Sequence, residues 1–351
     1  MKKYLISFAV ILIIYFILVI IRNKMENTHD VDLNLPAGTS DASLISSYTN
    51  GCTETALSKN KFPRNIIGVS TVHPYSETYY SLTKELGATW MRVEFDWRAI
   101  EKSDGTYDWA AADTMVSEMN KNGLHVLGTI SYIPTNLHTW EEIRNHFQKF
   151  MRALTERYDS QGITYYEIFN EPNLPGWAWL DKKTKPEGYI GEYAILLAIA
   201  NKEIRAVNPS AVVVIGGVSS DTITGMPYPD FTKKLLSYGS SKCFDIFAFH
   251  PYGHEGKFAQ TVMELNSLFA QSGVAPKPIW FNEYGTPENK RLQYSADSML
   301  KERGVVDAWF WFTLRDLRPN NRWNYGLTDY NFSKKPIYEI LKEGIQKGSA
   351  Q

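Results

Sequence analysis

The stretch Ile163-Thr-Tyr-Tyr-Glu-Ile-Phe-Asn-Glu-Pro-Asn173 decides how the rest of this chain is organised. Its first half is rich in aromatic and β-branched residues, which favours a strand. Pro172 has no N–H group to donate to a neighbouring strand, so the strand ends at Asn170-Glu171. The stretch Pro278-Ile-Trp-Phe-Asn-Glu-Tyr-Gly285 repeats the pattern and ends in Asn282-Glu283. Two strands that each deliver a glutamate at the same end predict a carboxylate pair that faces one pocket.

Short apolar strands alternate with amphipathic helices from Asn65 to the C-terminus. We predict eight strands: Ile66–Val69, Ala88–Phe95, Leu124–Ile130, a fourth that begins at Ile163, Val212–Ile215, Cys243–Phe249, Ile279–Phe281 and Val306–Phe312. Eight strands alternating with helices predict a closed (β/α)8 TIM barrel, whose active site lies at the C-terminal ends of the strands. The alternative is an open doubly wound sheet, but Gly68-Val-Ser-Thr71 is not the Gly-rich phosphate loop that such a sheet usually carries.

The first residues of the chain predict a membrane anchor. The run Tyr4–Ile21 has no charged residue, and its roughly 18 residues reach the lower limit for a transmembrane helix. No small-x-small cleavage site follows it, which disfavours a cleaved signal peptide. We therefore predict a transmembrane anchor over residues 1–24, a polar linker over 25–61 and a barrel domain over 62–346. The formal net charge of -1 gives no indication of a nucleic-acid partner.

The strand-end motifs resemble those of the retaining glycoside hydrolases of clan A, most closely families 39 and 5. The resemblance covers the chain from about Asn65 onward. Its matching segments are Tyr166–Asn173, Trp280–Tyr284, His250-Pro-Tyr252, Trp90-Met-Arg92 and the block from Trp97 to Trp109. Glycosidases of this kind use two carboxylates on either side of the scissile bond. The resemblance thus implies a TIM barrel and the hydrolysis of O-glycosyl bonds.

The resemblance also implies a role for each motif residue. Glu171 is expected to be the general acid/base and Glu283 the nucleophile of a double displacement. Arg92 and Tyr252 are expected to keep Glu283 ionised, and Asn170 to bind the sugar 2-hydroxyl. For Arg92, a structural ion pair with Glu94 or Glu167 is a second interpretation that is compatible with the first.

Further residues are expected to bind the substrate. His250 and His73 would line the sugar-binding subsite of Asn170. Trp311 would form the platform beneath the sugar. Trp177 and Trp179, in the loop after the acid/base, would stack on further sugar units. An alternative for these two loop residues is a small hydrophobic cluster that holds the loop in place.

The expected activity is that of a retaining O-glycosidase. We predict endo-action on an extracytoplasmic polysaccharide; a transglycosylase and a non-catalytic carbohydrate-binding barrel in polysaccharide export stay open. The expected partners are an oligo- or polysaccharide, the lipid bilayer through residues 4–21, and polysaccharide synthesis or export machinery. The location expected is the inner (cytoplasmic) membrane, with a single pass and the catalytic domain facing the periplasm or the exterior. The histidines are scattered and no cysteine pair has metal-ligand spacing, so we predict neither a metal nor a cofactor.

The two cysteines predict a link between the polar linker and the barrel. Cys243 starts the predicted sixth strand and so lies at the bottom of the barrel. Cys52 precedes the first strand, which also starts at the bottom, and the intervening chain is long enough to cross the barrel floor. An exported protein retains its disulfides. We predict a Cys52–Cys243 disulfide; the alternative is two unrelated thiols.

Overall fold

The computed structural model describes residues 41–57, 62–71, 76–175, 188–221, 225–287, 289–318 and 324–349. Within them, the barrel is built from nine parallel segments. They are β1 Ile66–Ser70, β2 Trp90–Asp96, β3 His125–Ser131, β4 Tyr165–Ile168, β5 Val212–Ile215, β6 Val218–Ser219, β7 Phe247–His250, β8 Ile279–Tyr284 and β9 Ala308–Phe312.

Strands β5 and β6 are two halves of one barrel strand, interrupted by Gly216 and Gly217. The sheet runs in the order β5-β4-β3-β2-β1-β9-β8-β7-β6, so its two edges are these halves. A Cβ atom on Gly216 would lie 2.6 Å from the carbonyl oxygens of Ile168 and Phe169, so only glycine lets the chain pass so close to the end of β4. Counting the halves as one strand, the barrel has the eight positions of a TIM barrel, which confirms the predicted architecture.

Helices surround the barrel as the sequence pattern predicts. They are α1 Ala42–Thr49, α2 Glu77–Leu86, α3 Trp97–Ile100, α4 Ala110–Lys121, α5 Trp140–Tyr158, α6 Ile190–Val207, α7 Tyr228–Ser237, α8 Phe258–Gln271, α9 Asn289–Lys301 and α10 Pro336–Ser349. Helices α2 and α5 have well-defined ends because both have strong caps. Helix α5 begins with a capping box between Thr139 and Glu142, and α2 ends at Gly87 in the left-handed region.

The predicted start of the sixth strand was wrong. Residues Ser240–Lys242 form a 3-10 turn, and the N–H group of Cys243 donates to the carbonyl of Ser240 at 2.8 Å. The strand β7 begins at Phe247, after a single bridge between Ile246 and Val214. The run Cys243–Phe249 is apolar throughout, and such a run does not show where pairing begins.

Side-chain alternation along the strands decides which residues face the barrel interior. Trp90 contacts Tyr165 and Trp280, with ring centroids 5.0 and 5.7 Å away, so these rings fill the lower interior. Two residues further along β2, Arg92 faces the same interior one layer higher. The aromatic layer closes the barrel from below, and the polar layer above it is therefore open only toward the C-terminal ends of the strands.

Part of the predicted linker is folded against the barrel. Helix α1 packs on α6 through the buried residues Ile45 and Thr49. After α1, the N–H group of Thr53 donates to the side-chain oxygen of Asn201 at 3.0 Å, and the amide nitrogen of Asn201 donates back to the Thr53 carbonyl at 2.9 Å. This segment is ordered because its backbone polar groups find partners on α6 and on the barrel floor.

A disulfide joins Cys52 to Cys243, which confirms the predicted pairing. Both residues are buried, and Cys243 precedes β7 at the lower end of the barrel. Near the bridge, the N–H group of Thr55 donates to Asp245 at 2.9 Å, and that carboxylate also pairs with Arg205 at 2.5 Å. The bridge and these hydrogen bonds together fasten the N-terminal segment to the barrel floor.

No helix within the described ranges is long and apolar enough to cross a membrane. The predicted anchor Tyr4–Ile21 lies outside those ranges. The prediction of an anchor therefore stays a prediction.

Candidate active site

The polar layer at the top of the barrel is organised by Arg92 on β2. All five N–H groups of its guanidinium have an acceptor, which fixes the side chain in one orientation. The acceptors are Glu167 Oε2 at 2.6 Å and Oε1 at 3.0 Å, Asn170 Oδ1 at 2.6 Å, Glu283 Oε2 at 3.0 Å and Ser70 Oγ at 3.2 Å. One buried cation thus links the ends of β1, β2, β4 and β8.

Glu167 is the structural partner of Arg92 and is completely buried. Besides the two-pronged ion pair, it accepts hydrogen bonds from Thr129 Oγ1 at 2.7 Å and from the Gly217 N–H group at 2.8 Å. Burial disfavours its charged form, but the charge and hydrogen bonds of Arg92 outweigh burial and lower the pKa of Glu167. The ion pair proposed as the second interpretation of Arg92 therefore exists, alongside its contact with Glu283.

Each carboxylate oxygen of Glu283 receives one hydrogen bond. Arg92 Nη1 donates to Oε2 at 3.0 Å, and the Tyr252 hydroxyl donates to Oε1 at 2.8 Å. Burial and the neighbouring Glu283 charge raise the pKa of Tyr252 well above its usual value, so its hydroxyl remains a donor. A carboxylate held in this way has a single orientation.

Glu171 is held by an unusual backbone at the end of β4. Its φ is 45°, and that of Phe169 is 62°, in the left-handed region that side-chain-bearing residues rarely occupy. The Glu171 N–H group donates to the Gly217 carbonyl at 3.1 Å, and the Glu171 carbonyl accepts from the Leu174 N–H group at 2.8 Å. Strained conformations of this kind persist where the surroundings fix them, often at active sites.

His250, at the end of β7, contacts Glu171. Its Nδ1 atom lies 3.1 Å from Glu171 Oε1, and the ring is completely buried. The contact places a group able to donate or accept a proton beside one oxygen of the carboxyl group. Sequence reasoning placed His250 in the sugar-binding subsite with Asn170, and its contact with Glu171 is an additional finding of the structure.

Glu94 is a further carboxyl group in this layer that sequence reasoning did not assign to the site. Burial raises the pKa of Glu94 to about 7, although Arg92 acts in the opposite direction. The charges of Asp96, Glu283 and Glu167 raise it as well. Sequence alone could have shown its inward position, because Glu94 lies two residues after Arg92 on the same strand face.

The structure contradicts the prediction that Trp311 forms the sugar platform. Trp311 is only 1% exposed, its ring packs edge-to-face on Tyr284 at 5.8 Å, and its indole N–H donates to the Tyr325 carbonyl at 3.2 Å. Its neighbour Phe312 pairs with Ser70, which bonds to Arg92 in the interior. Because laterally paired residues share a sheet face, Phe312 faces inward and Trp311 faces outward to the helices.

An aromatic wall stands beside Glu283. The ring centroid of Tyr325 lies 5.5 Å from that of Phe312 and 6.2 Å from that of Tyr252. Phe312 and Tyr325 are half-buried. The wall is therefore formed by Phe312, Tyr325 and Tyr252. Sequence reasoning missed Phe312 and Tyr325, while the other three predicted binding residues, His73, Trp177 and Trp179, lie outside the described residues.

Across the described part of the chain, no group of three or more His, Cys, Asp or Glu residues is arranged to hold a metal ion. The carboxyl groups of the polar layer are instead separated by Arg92, Tyr252 and His250. The chemistry that this layer offers is proton transfer and attack by a carboxylate.

Solved structures share this fold. A family 39 glycoside hydrolase from Bacteroides cellulosilyticus WH2 superposes with a TM-score of 0.62 at 19% identity, over 81% of this chain and 64% of that one. A glucosidase from Croceicoccus marinus superposes with a TM-score of 0.62 at 15% identity, over 81% of this chain and 69% of that one. Xylanase 10B from Thermotoga petrophila RKU-1, solved in complex with xylobiose, superposes with a TM-score of 0.56 at 16% identity, over 81% of this chain and 95% of that one.

No curated protein matches this chain in sequence. Residues 57–315 match the family described as Cellulase (glycosyl hydrolase family 5). That range covers more than half of the 351 residues and contains Arg92, Glu171 and Glu283. The barrel and its carboxylate-bearing strand ends agree with this match, and the chain belongs to glycosyl hydrolase family 5.

Proposed function

We propose that this protein is a retaining O-glycoside hydrolase that uses Glu283 as its nucleophile and Glu171 as its acid/base. The observation that carries the proposal is the unequal surroundings of the two carboxyl groups. Glu283 accepts one hydrogen bond on each oxygen, from Arg92 and Tyr252. Among the side chains described, His250 is the one that hydrogen-bonds to Glu171, through a single ring nitrogen. The first arrangement suits a permanent carboxylate, and the second suits a group that must gain and lose a proton.

The reaction would proceed in two steps. In the first, Glu283 forms a bond to the anomeric carbon while the bond to the leaving oxygen breaks, and Glu171 gives its proton to that oxygen. In the second, Glu171 takes a proton from water, whose oxygen attacks the anomeric carbon and releases Glu283. Each step inverts the anomeric carbon once, so the product keeps the configuration of the substrate.

Asn170 would bind the sugar at the reaction centre. Arg92 donates to its side-chain oxygen at 2.6 Å, so the amide nitrogen is directed away from the guanidinium. That orientation leaves N–H donors for a substrate hydroxyl, as expected for a contact with the sugar 2-hydroxyl that strengthens in the transition state. The wall of Phe312, Tyr325 and Tyr252 would take the platform role first expected of Trp311, since aromatic faces stack on sugar rings.

The substrate we propose is an extracytoplasmic polysaccharide cleaved within its chain. The family match to cellulases and the fold shared with a xylanase support a polymer of β-linked sugars. Transglycosylation would use the same two steps with a sugar hydroxyl in place of water. Non-catalytic binding of carbohydrate is the remaining alternative, and an activity assay separates it from both reactions.

The stereochemistry of hydrolysis tests the mechanism. The full chain is incubated with 2,4-dinitrophenyl β-cellobioside and with a panel of bacterial exopolysaccharides, and new anomeric protons are followed by NMR. We expect the β-anomer to appear first and to mutarotate later. An initial α-anomer would contradict a double displacement. Products longer than the substrate would identify transglycosylation, and the absence of turnover on every substrate would favour a binding protein.

We also propose that Tyr4–Ile21 anchors the protein in the inner (cytoplasmic) membrane, with the barrel on the periplasmic or exterior side. The uncharged run and the Cys52–Cys243 disulfide support this location, because disulfides persist in oxidising compartments. Machinery for polysaccharide synthesis or export would then be a neighbour in the same membrane.

A membrane wash tests the anchor. After a high-salt wash, we expect the protein to stay in the membrane fraction, because apolar insertion is not screened by ions. A variant lacking residues 2–24 but carrying a cleavable export signal serves as the matched control and should appear in the soluble fraction. Release of a shortened form of the natural chain would show that the segment is a cleaved signal.

A further inference from the structure

Two buried side chains beside the acid/base have polar atoms without partners. Among the described residues, neither the amide oxygen nor the amide nitrogen of Asn282 has a hydrogen bond, and nor has Nε2 of His250. Both side chains are completely buried. A buried polar atom without a partner destabilises the fold, so such atoms are rare and each calls for an explanation.

Gly217 lies against both side chains, where no larger residue would fit. A Cβ atom at this position would lie 2.0 Å from His250 Nε2 and 2.9 Å from Asn282 Oδ1. The two side chains therefore approach the same point from β7 and β8, and they are no more than about 5 Å apart, a gap that one bridging water closes. A water within reach of both atoms would supply the hydrogen bonds that they lack among the described residues.

The opposite side of the His250 ring contacts Glu171 through Nδ1. As a general acid, Glu171 must direct its proton to the leaving oxygen and not to His250. This requires that Nδ1 carry a proton and donate to Glu171, which in a neutral ring leaves Nε2 as an acceptor. An acceptor in this position needs a donor behind it, and the Asn282 amide with its water can supply one.

We propose that Asn282 is a positioning residue that, through one bridging water, keeps His250 in the neutral form protonated on Nδ1. Asn282 acts on the reaction only through His250, which in turn directs the proton of Glu171. The inference rests on the proposed role of Glu171 for its kinetic consequences, but the protonation state of His250 can be measured without any substrate.

Other charged or titratable groups face the same pair. The charge of Glu167 on β4 acts on His250, and the ring of Tyr252 is 6.3 Å from that of His250. Arg92, Glu94 and Glu283 on β2 and β8 belong to the same polar layer and interact with one another. Asn282 approaches His250 from β8 as a neutral group, and a carboxylate in its place would change the local charge. The substitution Asn282→Asp makes that change without altering the size of the side chain.

Histidine nitrogen NMR on the full chain, labelled with nitrogen-15 histidine, tests the proposal directly. The chain has seven histidines, and a His250→Gln spectrum identifies the signals of His250. In the natural protein we expect a protonated Nδ1 and an unprotonated Nε2. In Asn282→Asp the new acceptor should place a proton on Nε2. Asn145→Asp, which adds the same charge on the exposed side of α5, should leave the signals unchanged.

Kinetics provide the second measurement. With phenyl β-cellobioside, whose poor leaving group needs the acid, Asn282→Asp should lower kcat/KM about 100-fold, the lower range for acid catalysis. With 2,4-dinitrophenyl β-cellobioside, which needs no proton, the loss should be within about threefold, since this step does not use the acid. In Asn282→Asp, the alkaline limb of the pH profile of kcat/KM for phenyl β-cellobioside should move to lower pH, because a charged His250 favours the deprotonated form of Glu171.

Each outcome decides the proposal. A proton on Nε2 in the natural protein, or the same pattern in natural protein and Asn282→Asp, would overturn it. If Asn282→Asp does not fold, Asn282→Leu serves as the second variant, because it adds no charge. It removes the amide donor and should still allow protonation of His250 Nε2. An unchanged His250 spectrum in Asn282→Leu would also overturn the proposal. If the natural protein cleaves neither cellobioside, the proposed function fails on these substrates while the NMR result for Asn282 still stands.

Discussion

Glu283→Ala is expected to lower kcat by about 10⁵-fold, equivalent to about 7 kcal/mol of transition-state stabilisation. Without the carboxylate, no covalent intermediate can form, and alanine leaves a space next to the anomeric carbon. The donors Arg92 and Tyr252 would remain around this space. The measurement is the initial rate with 2,4-dinitrophenyl β-cellobioside, with circular dichroism to show that the variant is folded.

Azide should restore turnover in Glu283→Ala and reveal its role. A small anion can enter the space and attack the anomeric carbon directly, so the expected product is the α-glycosyl azide, with inverted configuration. Glu171→Ala is the matched control. It still forms the glycosyl-enzyme with the dinitrophenyl substrate, and azide then attacks this intermediate to give the β-azide. An α-azide from Glu171→Ala and a β-azide from Glu283→Ala would show that the two roles are reversed.

Removing the disulfide is expected to cause the largest change in stability. Cys52 and Cys243 are 191 residues apart in sequence, so their bridge closes most of the chain into one loop. The chain-entropy account of such a loop gives up to about 5 kcal/mol of stabilisation. The variant Cys52→Ala with Cys243→Ala should therefore unfold at a markedly lower temperature and urea concentration than the oxidised protein.

A hydrogen-bond variant separates the covalent effect from the local contacts. Asn201→Ala keeps the bridge but removes the bonds to Thr53, and its cost should be about 1–3 kcal/mol for the partners left unsatisfied. The reduced natural protein should have the same melting temperature as the double cysteine variant. Equal melting temperatures of oxidised and reduced protein would show that the bridge contributes nothing to stability.

The sequence predicts which side chains lie together where those side chains stand at the ends of strands. Glu171, Glu283, Arg92 and His250 could be located because a parallel barrel brings the C-terminal ends of its strands together. Their partners could not be assigned in the same way. That Arg92 divides its donors between Glu167 and Glu283 depends on distances across the barrel, which no spacing in the sequence encodes.

The platform shows a different limit. In the run Trp309-Phe-Trp-Phe312 every residue is aromatic, and a buried parallel strand is covered by apolar groups on both faces. The alternation that normally separates interior from exterior is therefore lost. Only the register with Ser70 shows that Phe312 faces the interior. Asn282 could not be identified from the sequence either. The observation that draws attention to it is that its buried amide has no hydrogen-bond partner among the described residues, which only the structure shows.

The attachment of the N-terminal segment also determines how the molecule can be handled. Residues 49–57 join the barrel near the ends of β5 and β7 that lie opposite the pocket, through Thr55, Asp245 and the disulfide. A biosensor chip or bead that captures the protein through this segment would therefore hold it from below. The mouth of the barrel would face the solution, and long polymers could enter it without meeting the support.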